Sequence, residues 1–258
     1  MGGEDARIQD NPWQVALVMT AYKANDEAQF CGGSIVSGRW ILTAAHCVDA
    51  GTKADQIAVL VGVSSLKETG RRVPVEPGGI YIHKEWDFAT HTNDIALINV
   101  AEDLQGQSIG PWSTSTPEEE NRGPSSTSTP TPEEEHREVR ITGWGALSWQ
   151  DSPPFSIILQ SVDTQVIPLV KCNASDSYDH ILTNKMLCIG KYTEGQKDSC
   201  DRDSGGPATT LVNGKRELIG ITSWGSPRCG TPKMPGIYTR VSQYVTWVKQ
   251  TSKGAVNW

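Results

Sequence analysis

Short apolar runs recur along the whole chain, separated by turn residues, and none of them is long. They fall at Trp13–Met19, Ser34–Val36, Trp40–Thr43, Ile57–Val63, Ile80–His83, Ile95–Val100, Val139–Thr142, Ile158–Gln165, Met186–Ile189, Ala208–Val212, Glu217–Ser223 and Gly236–Arg240. Such spacing is what an all-β chain shows. Gly 25 and Pro 15 supply many turns around small strands, which argues against a helical bundle. Asn213-Gly214, between two runs, is a strong hairpin signal because both residues tolerate φ > 0. Only the end reads as helix: Val241, Tyr244, Val245 and Val248 lie at helical spacing, with Ser242 as N-cap.

The runs divide into two sets. Residues 113–120 read STSTPEEE and 126–135 read STSTPTPEEE, a tandem near-repeat. It is too polar to bury and too rich in Pro for regular structure, so it reads as a solvated insertion. The expected organisation is an N-terminal unit at 1–111, an acidic Ser/Thr/Pro/Glu-rich linker at 112–138 and a C-terminal unit at 139–258. Each flank holds about six strand candidates, the content of a closed barrel.

Net charge is -7 over 258 residues, but residues 112–138 carry seven Glu against Arg122 and Arg137. Most of the acidity therefore sits in the linker, and the rest of the chain is close to neutral. A general nucleic-acid or anionic-membrane binder is not indicated. No run approaches the ~18 apolar residues of a membrane-spanning helix. The cysteines at 31, 47, 172, 188, 200 and 229 are even in number, and their spacing leaves the pairing open. They favour disulfides and an oxidising compartment over free thiols, and no zinc-type Cys/His spacing is present. The opening Met1-Gly2-Gly3-Glu4-Asp5 carries no basic stretch followed by an apolar one. That leaves a trimmed secreted chain or a cytosolic one, and the cysteines favour the first.

Three segments carry chemistry. His46 ends Thr43-Ala44-Ala45-His46-Cys47 after a buried run, and Asp94 opens Asn93-Asp94-Ile95-Ala96-Leu97. Either residue alone reads as structural. Asp203-Ser204-Gly205-Gly206-Pro207 is a tight turn with exposed N–H groups, which suits an activated nucleophile beside an oxyanion hole. The order His, Asp, Ser in separate segments is that of one type of serine protease.

With these segments in view, the chain resembles the trypsin-like serine proteases of the chymotrypsin family. Further matches are Asn11-Pro12-Trp13-Gln14-Val15, Cys31-Gly32-Gly33-Ser34, Gly143-Trp144-Gly145, Asp198-Ser199-Cys200, Ser223-Trp224-Gly225 and Pro235-Gly236-Ile237-Tyr238. The resemblance implies two six-stranded antiparallel β-barrels with a C-terminal helix. It implies Ser204 as nucleophile, His46 as general base and then acid, and Asp94 as the carboxylate that orients the imidazole. The N–H groups of Arg202 and Ser204 would form the oxyanion hole. Cys31–Cys47, Cys172–Cys188 and Cys200–Cys229 would pair. Asp198 would floor the primary specificity pocket beside Ser199, with Gly225 and Gly236 as its walls, which implies cleavage after Arg or Lys. Ser223, Trp224 and Gly225 would pair with the substrate backbone as an added strand. The implied protein is a secreted monomeric endopeptidase acting on protein or peptide substrates, open to protein inhibitors, with no cofactor and no metal. A non-catalytic or zymogen-like homologue that binds a partner is the alternative reading.

Two positions depart from the family pattern. Family members begin Ile-Val-Gly-Gly, and their α-ammonium pairs with the residue matching Asp203. Aligned on the glycines, Met1 takes the Val place, so its ammonium should fall up to ~3.5 Å short of Asp203. Arg202 stands where Gly is usual. Its N–H survives, and its side chain should lie toward the leaving-group side, weakening rigid inhibitors more than small substrates. The loop Gly62–Val73 has Glu68 as its only acid, so no calcium is expected there, and Pro235 argues against sodium control.

Overall fold

The apolar runs close into two barrels. The computed structural model describes residues 1–49, 51–104, 108–112, 136–149 and 154–258. The tandem repeat within the expected linker lies outside the described residues. Among those described, thirteen strands run in chain order. They are β1 (Glu4–Asp5), β2 (Gln14–Met19), β3 (Gln29–Ser37), β4 (Trp40–Thr43), β5 (Ile57–Val61), β6 (Arg71–Ile82) and β7 (Ala96–Val100), followed by β8 (Glu138–Gly143), β9 (Gln160–Ile167), β10 (Met186–Gly190), β11 (Pro207–Val212), β12 (Lys215–Trp224) and β13 (Gly236–Arg240).

The first barrel closes in the order β2-β3-β4-β7-β6-β5. The second runs β9-β10-β13-β12-β11-β8 and closes through β8–β9. Every pairing in both barrels is antiparallel. The fold expected from the resemblance is therefore present. Side chains alternate across a strand, and β2 uses both of its faces. Val15 and Leu17 point into the first barrel with Ile41, Val59 and Leu97. Ala16 and Val18 face out, yet they are buried with Leu60, Trp144 and Leu159 at the seam between the barrels. That two-sided burial explains why Trp13–Met19 reads as a continuous apolar run. The second barrel is filled by Val139, Ile141, Leu187, Ile189, Ile219 and Tyr238, among others.

Both chain ends strap the barrels together. β1 pairs with β9 of the second barrel at Glu4↔Ser161 and Asp5↔Gln160. The other end returns to the first barrel through a 3-10 turn (Val241–Tyr244) and a helix (Val245–Thr251). Tyr244, Val248 and Val256 join the core of that barrel. The expected N-cap is corrected: Ser242 lies inside the 3-10 turn, and Tyr244 precedes the helix without a side-chain cap bond.

Two strands outrun their apolar signal. β6 begins at Arg71, across Pro74, Pro77, Gly78 and Gly79, and its register against β7 shifts between Val75 and Ile80. β3 begins at Gln29, because Gly32 and Gly33 belong to the strand. The three disulfides are Cys31–Cys47, Cys172–Cys188 and Cys200–Cys229, and no cysteine is free.

The Asn213–Gly214 signal is realised as the loop joining β11 to β12, with φ of 49° and 79°. A Cβ on Gly214 would meet nothing within 4 Å, so only backbone strain opposes a side chain there. Gly214→Val is expected to destabilise the fold by about 1–2 kcal/mol, a few °C in thermal unfolding. Unchanged melting would contradict this assignment of the turn.

Candidate active site

The candidate site lies on the seam, and both barrels build it. His46 sits in the 3-10 turn Ala45–Cys47 that follows β4. Asp94 precedes β7 and is 0% exposed. The residue before it, Asn93, holds a left-handed φ of 58°. Its amide donates to the Glu85 carbonyl at 2.7 Å and accepts from Lys185 Nζ at 2.7 Å and Tyr244 OH at 3.1 Å. A fully satisfied Asn at such a φ fixes the turn that aims Asp94.

The Asp94 carboxylate is surrounded by donors. Its Oδ1 accepts the His46 backbone N–H at 2.9 Å, and its Oδ2 bonds His46 Nδ1 at 2.7 Å. Ser223 Oγ donates to Oδ2 at 2.5 Å from β12 of the other barrel. Thr239 Oγ1, on β13, donates to the Asp94 carbonyl at 2.7 Å. An Nδ1–H held by the carboxylate leaves Nε2 as the basic nitrogen of the ring. Burial works against a charge on His46, but the hydrogen bond and charge of Asp94, with help from Asp49, outweigh it and raise the imidazole above its ordinary pKa.

Ser204 reaches this pair through a short chain of contacts. Its carbonyl accepts the Gly32 N–H at 2.7 Å. Cys31 precedes Gly32 and is bridged to Cys47, which follows His46. Two glycines allow the approach: Gly32 comes against Gly206, and Gly205 turns with φ 77°. Among the described residues the Ser204 hydroxyl has no hydrogen-bond partner, a common state for such a site without substrate. No described acceptor takes the N–H of Arg202 or of Ser204, whereas those of Asp203, Gly205 and Gly206 are all used. Arg202 adopts φ 72°, the left-handed region that Gly would enter freely. Its carbonyl accepts Gln29 Nε2 at 2.9 Å, and its guanidinium carbon lies 3.7 Å from the Phe155 ring centre. The side chain is thus held against a wall.

Beside Ser204 opens a cavity of about 190 Å³, lined by Asp198, Ser199, Ser223, Trp224, Gly225, Ser226 and Gly236 among others. Asp198 is 4% exposed. One of its oxygens accepts the Gly230 N–H at 3.0 Å, and the other has no partner. Burial pushes its pKa up to about 6, against the pull of that N–H and the chain's α-ammonium. Ser199 Oγ accepts the Tyr238 hydroxyl at 2.8 Å. A Cβ on Gly236 would collide with the Asp198 carboxylate, so the wall must stay bare.

The α-amino group falls short of Asp203, in line with the offset expected from the glycines. The Met1 nitrogen donates to the Asp198 carbonyl at 2.6 Å instead. The Asp203 carboxylate accepts the N–H groups of Gly145 at 2.8 Å and Cys200 at 3.0 Å, and no described cation lies within ion-pair distance. The cause is the register anticipated from the glycines, with Met1 one residue short. Burial raises the Asp203 pKa, while the α-ammonium and the two N–H donors counter it.

Sequence reasoning missed Thr239, Gln29 and Phe155, because each acts across the seam or between distant loops, and Asp49, which acts on His46 through its charge and carries no motif signal. The cluster Cys31, His46 and Cys47 brings potential metal ligands together, but both sulfurs are bonded to each other, which leaves no thiolate.

Two closed barrels with a histidine–aspartate pair and a serine turn at their seam form the framework of a serine protease. A family model described as Trypsin matches residues 1–248. Trypsin Blo t 3 of Blomia tropicalis is 35% identical over 248 residues, covering 96% of this chain and 84% of that protein. A trypsin of Phaedon cochleariae is 33% identical over 256 residues, covering 98% and 88%. Tissue-type plasminogen activator of Bos taurus is 30% identical over 266 residues, covering 98% of this chain and 44% of that protein. The chain belongs to the Trypsin family of serine proteases.

A raised His46 pKa means that the neutral base is lost as pH falls through it. Hydrolysis, as kcat/KM against pH, is expected to show an acid limb above the ordinary histidine value. Asp49→Asn removes one of the charges raising it, so the limb should move to lower pH. A limb that stays put would exclude Asp49 from the field at His46.

Proposed function

We infer that the protein is an endopeptidase that hydrolyses bonds after Arg or Lys through an acyl-enzyme. The observation that carries this reading is Asp198: a buried carboxylate with one oxygen unpartnered, at the end of a cavity that opens beside Ser204. A buried acceptor without a partner destabilises the site until a donor arrives. A guanidinium or ammonium entering the cavity supplies both donor and countercharge, whereas an apolar side chain supplies neither.

The His46–Asp94 pair and the serine turn support the following chemistry. Ser204 Oγ attacks the scissile carbonyl as His46 Nε2 takes its proton. Charge moves onto the carbonyl oxygen, and the free N–H groups of Arg202 and Ser204 point to its stabilisation. His46 then protonates the leaving amine, and the acyl group remains on Ser204. Water repeats the sequence: His46 removes its proton, and the acid leaves as Ser204 regains one. Asp94 stays ionised and supports the imidazolium. The substrate residues before the bond would pair with Ser223–Gly225 as an added strand. Protein or peptide substrates and protein inhibitors are the implied partners. Three disulfides support secretion to an oxidising compartment.

The test is hydrolysis of a small chromogenic Arg peptide. Ser204→Ala should abolish the signal, and Asp198→Asn should reduce kcat/KM by ~100-fold or more. Equal rates on Arg and Leu peptides would sink the specificity reading. The cationic probe benzamidine gives a second check. Asp198 must be ionised to hold it, so its thermal stabilisation of the protein should fade as pH drops through about 6. Arg202→Gly is expected to leave small-peptide turnover within a few-fold and to tighten rigid protein inhibitors; unchanged inhibitor affinity would refute that role.

A further inference from the structure

The mouth of the cavity carries a cation that the reaction does not use. Arg228 lies between Pro227 and Cys229, which both line the cavity, and follows Gly225 by three residues. Its guanidinium carbon is 4.6 Å from the centre of the Trp149 ring. Trp149 comes from a different segment, the one that follows Gly145 behind Asp203, and is 50% exposed. Arg228 is itself exposed. Among the described residues no carboxylate lies within ion-pair distance of Arg228. Two acids line the cavity: Asp198, buried at its floor, and Asp201, exposed beside Arg202.

A guanidinium lying on an aromatic face keeps its donors at its edge, free for a second partner. The stacking also holds a long side chain that would otherwise lose conformational freedom on binding. Arg202, stacked on Phe155, places a like charge at the other side of Ser204. The segments that line the cleft thus carry the acids Asp198 and Asp201 and the cations Arg202 and Arg228.

We propose that Arg228, held by Trp149, is a specificity-determining residue that selects substrates with an acidic side chain on the N-terminal side of the cleaved Arg or Lys. This rests on the reading of Ser223–Gly225 as the strand that receives those residues. A chain leaving Gly225 along that path passes the loop that carries Arg228. The recognised class is a peptide in which Asp or Glu precedes the basic residue by one to three positions. A basic residue there is disfavoured by the same charge.

The experiment uses Arg peptides with Glu, Gln or Lys at the second, third or fourth position before the bond. Their affinity for Ser204→Ala is read by fluorescence anisotropy, and their turnover by the unmutated protein is read separately. At one of these positions Glu should bind about 2- to 5-fold tighter than Gln, and Lys more weakly than Gln, with the preference lost at high salt. Arg228→Gln should erase the Glu preference without changing affinity for the Gln peptide, and Arg228→Glu should reverse it. Trp149→Ala should weaken the preference while Arg228 stays charged. Equal affinities for Glu and Gln at every position, or a Glu preference that survives in Arg228→Gln, overturns the proposal. Absent turnover with a normal Glu preference in binding would instead overturn the hydrolytic reading and leave this one standing.

Discussion

A carboxylate with no exposure to water sits at the centre of the molecule, and the rest of the site is arranged around it. Donors reach both oxygens of the buried Asp94 carboxyl, which offsets the cost of taking it out of water. The first barrel supplies the His46 ring and backbone N–H. The second supplies the Ser223 hydroxyl, and Thr239 ties down the Asp94 backbone. One buried charge therefore binds the two barrels to each other and sets the tautomer of the imidazole. Removing a partner would leave the charge uncompensated, a defect of ~3–5 kcal/mol in a buried setting.

The same logic runs through the second barrel with a different outcome. Asp203 and Asp198 are also buried carboxylates. Asp203 has both oxygens satisfied by backbone N–H groups, which fixes the turn bearing Ser204. Asp198 has one oxygen satisfied and one bare, and it faces a cavity. A satisfied carboxylate shapes the backbone, whereas an unsatisfied one creates a demand for a cation. Hydrogen bonding thus separates the two, although both are aspartates within one short segment.

Much of this was legible in the sequence, and the reasons are local. Apolar runs mark most strands because strands here bury at least one face, and β2 buries both. Asn213–Gly214 marks its turn because few other pairs accept two positive φ values. The resemblance placed His46, Asp94, Ser204, Asp198 and the disulfide pairs, since those motifs are ordered and specific. Elements whose stability comes from neighbours were not visible. The stretch of β6 before Ile80 contains Pro74, Pro77, Gly78 and Gly79, and the strand is held by pairing with β5 and β7. Ser242 has the chemistry of a cap, but packing of Val241 and Tyr244 into the first barrel pulls it into a 3-10 turn.

The sequence by itself determined the alternation of apolar strands and turns and marked the candidates for the reacting groups and the pocket acid. These follow from residue type and spacing, which chain order carries directly. The tertiary structure alone decided which donors reach Asp94, that two backbone N–H groups take the Asp203 carboxylate, and that Arg202 and Arg228 lie on Phe155 and Trp149. Each of these depends on a distance between residues far apart in the chain. Hydrogen bonds fade within an ångström or two, so only the closed barrels bring such groups within reach.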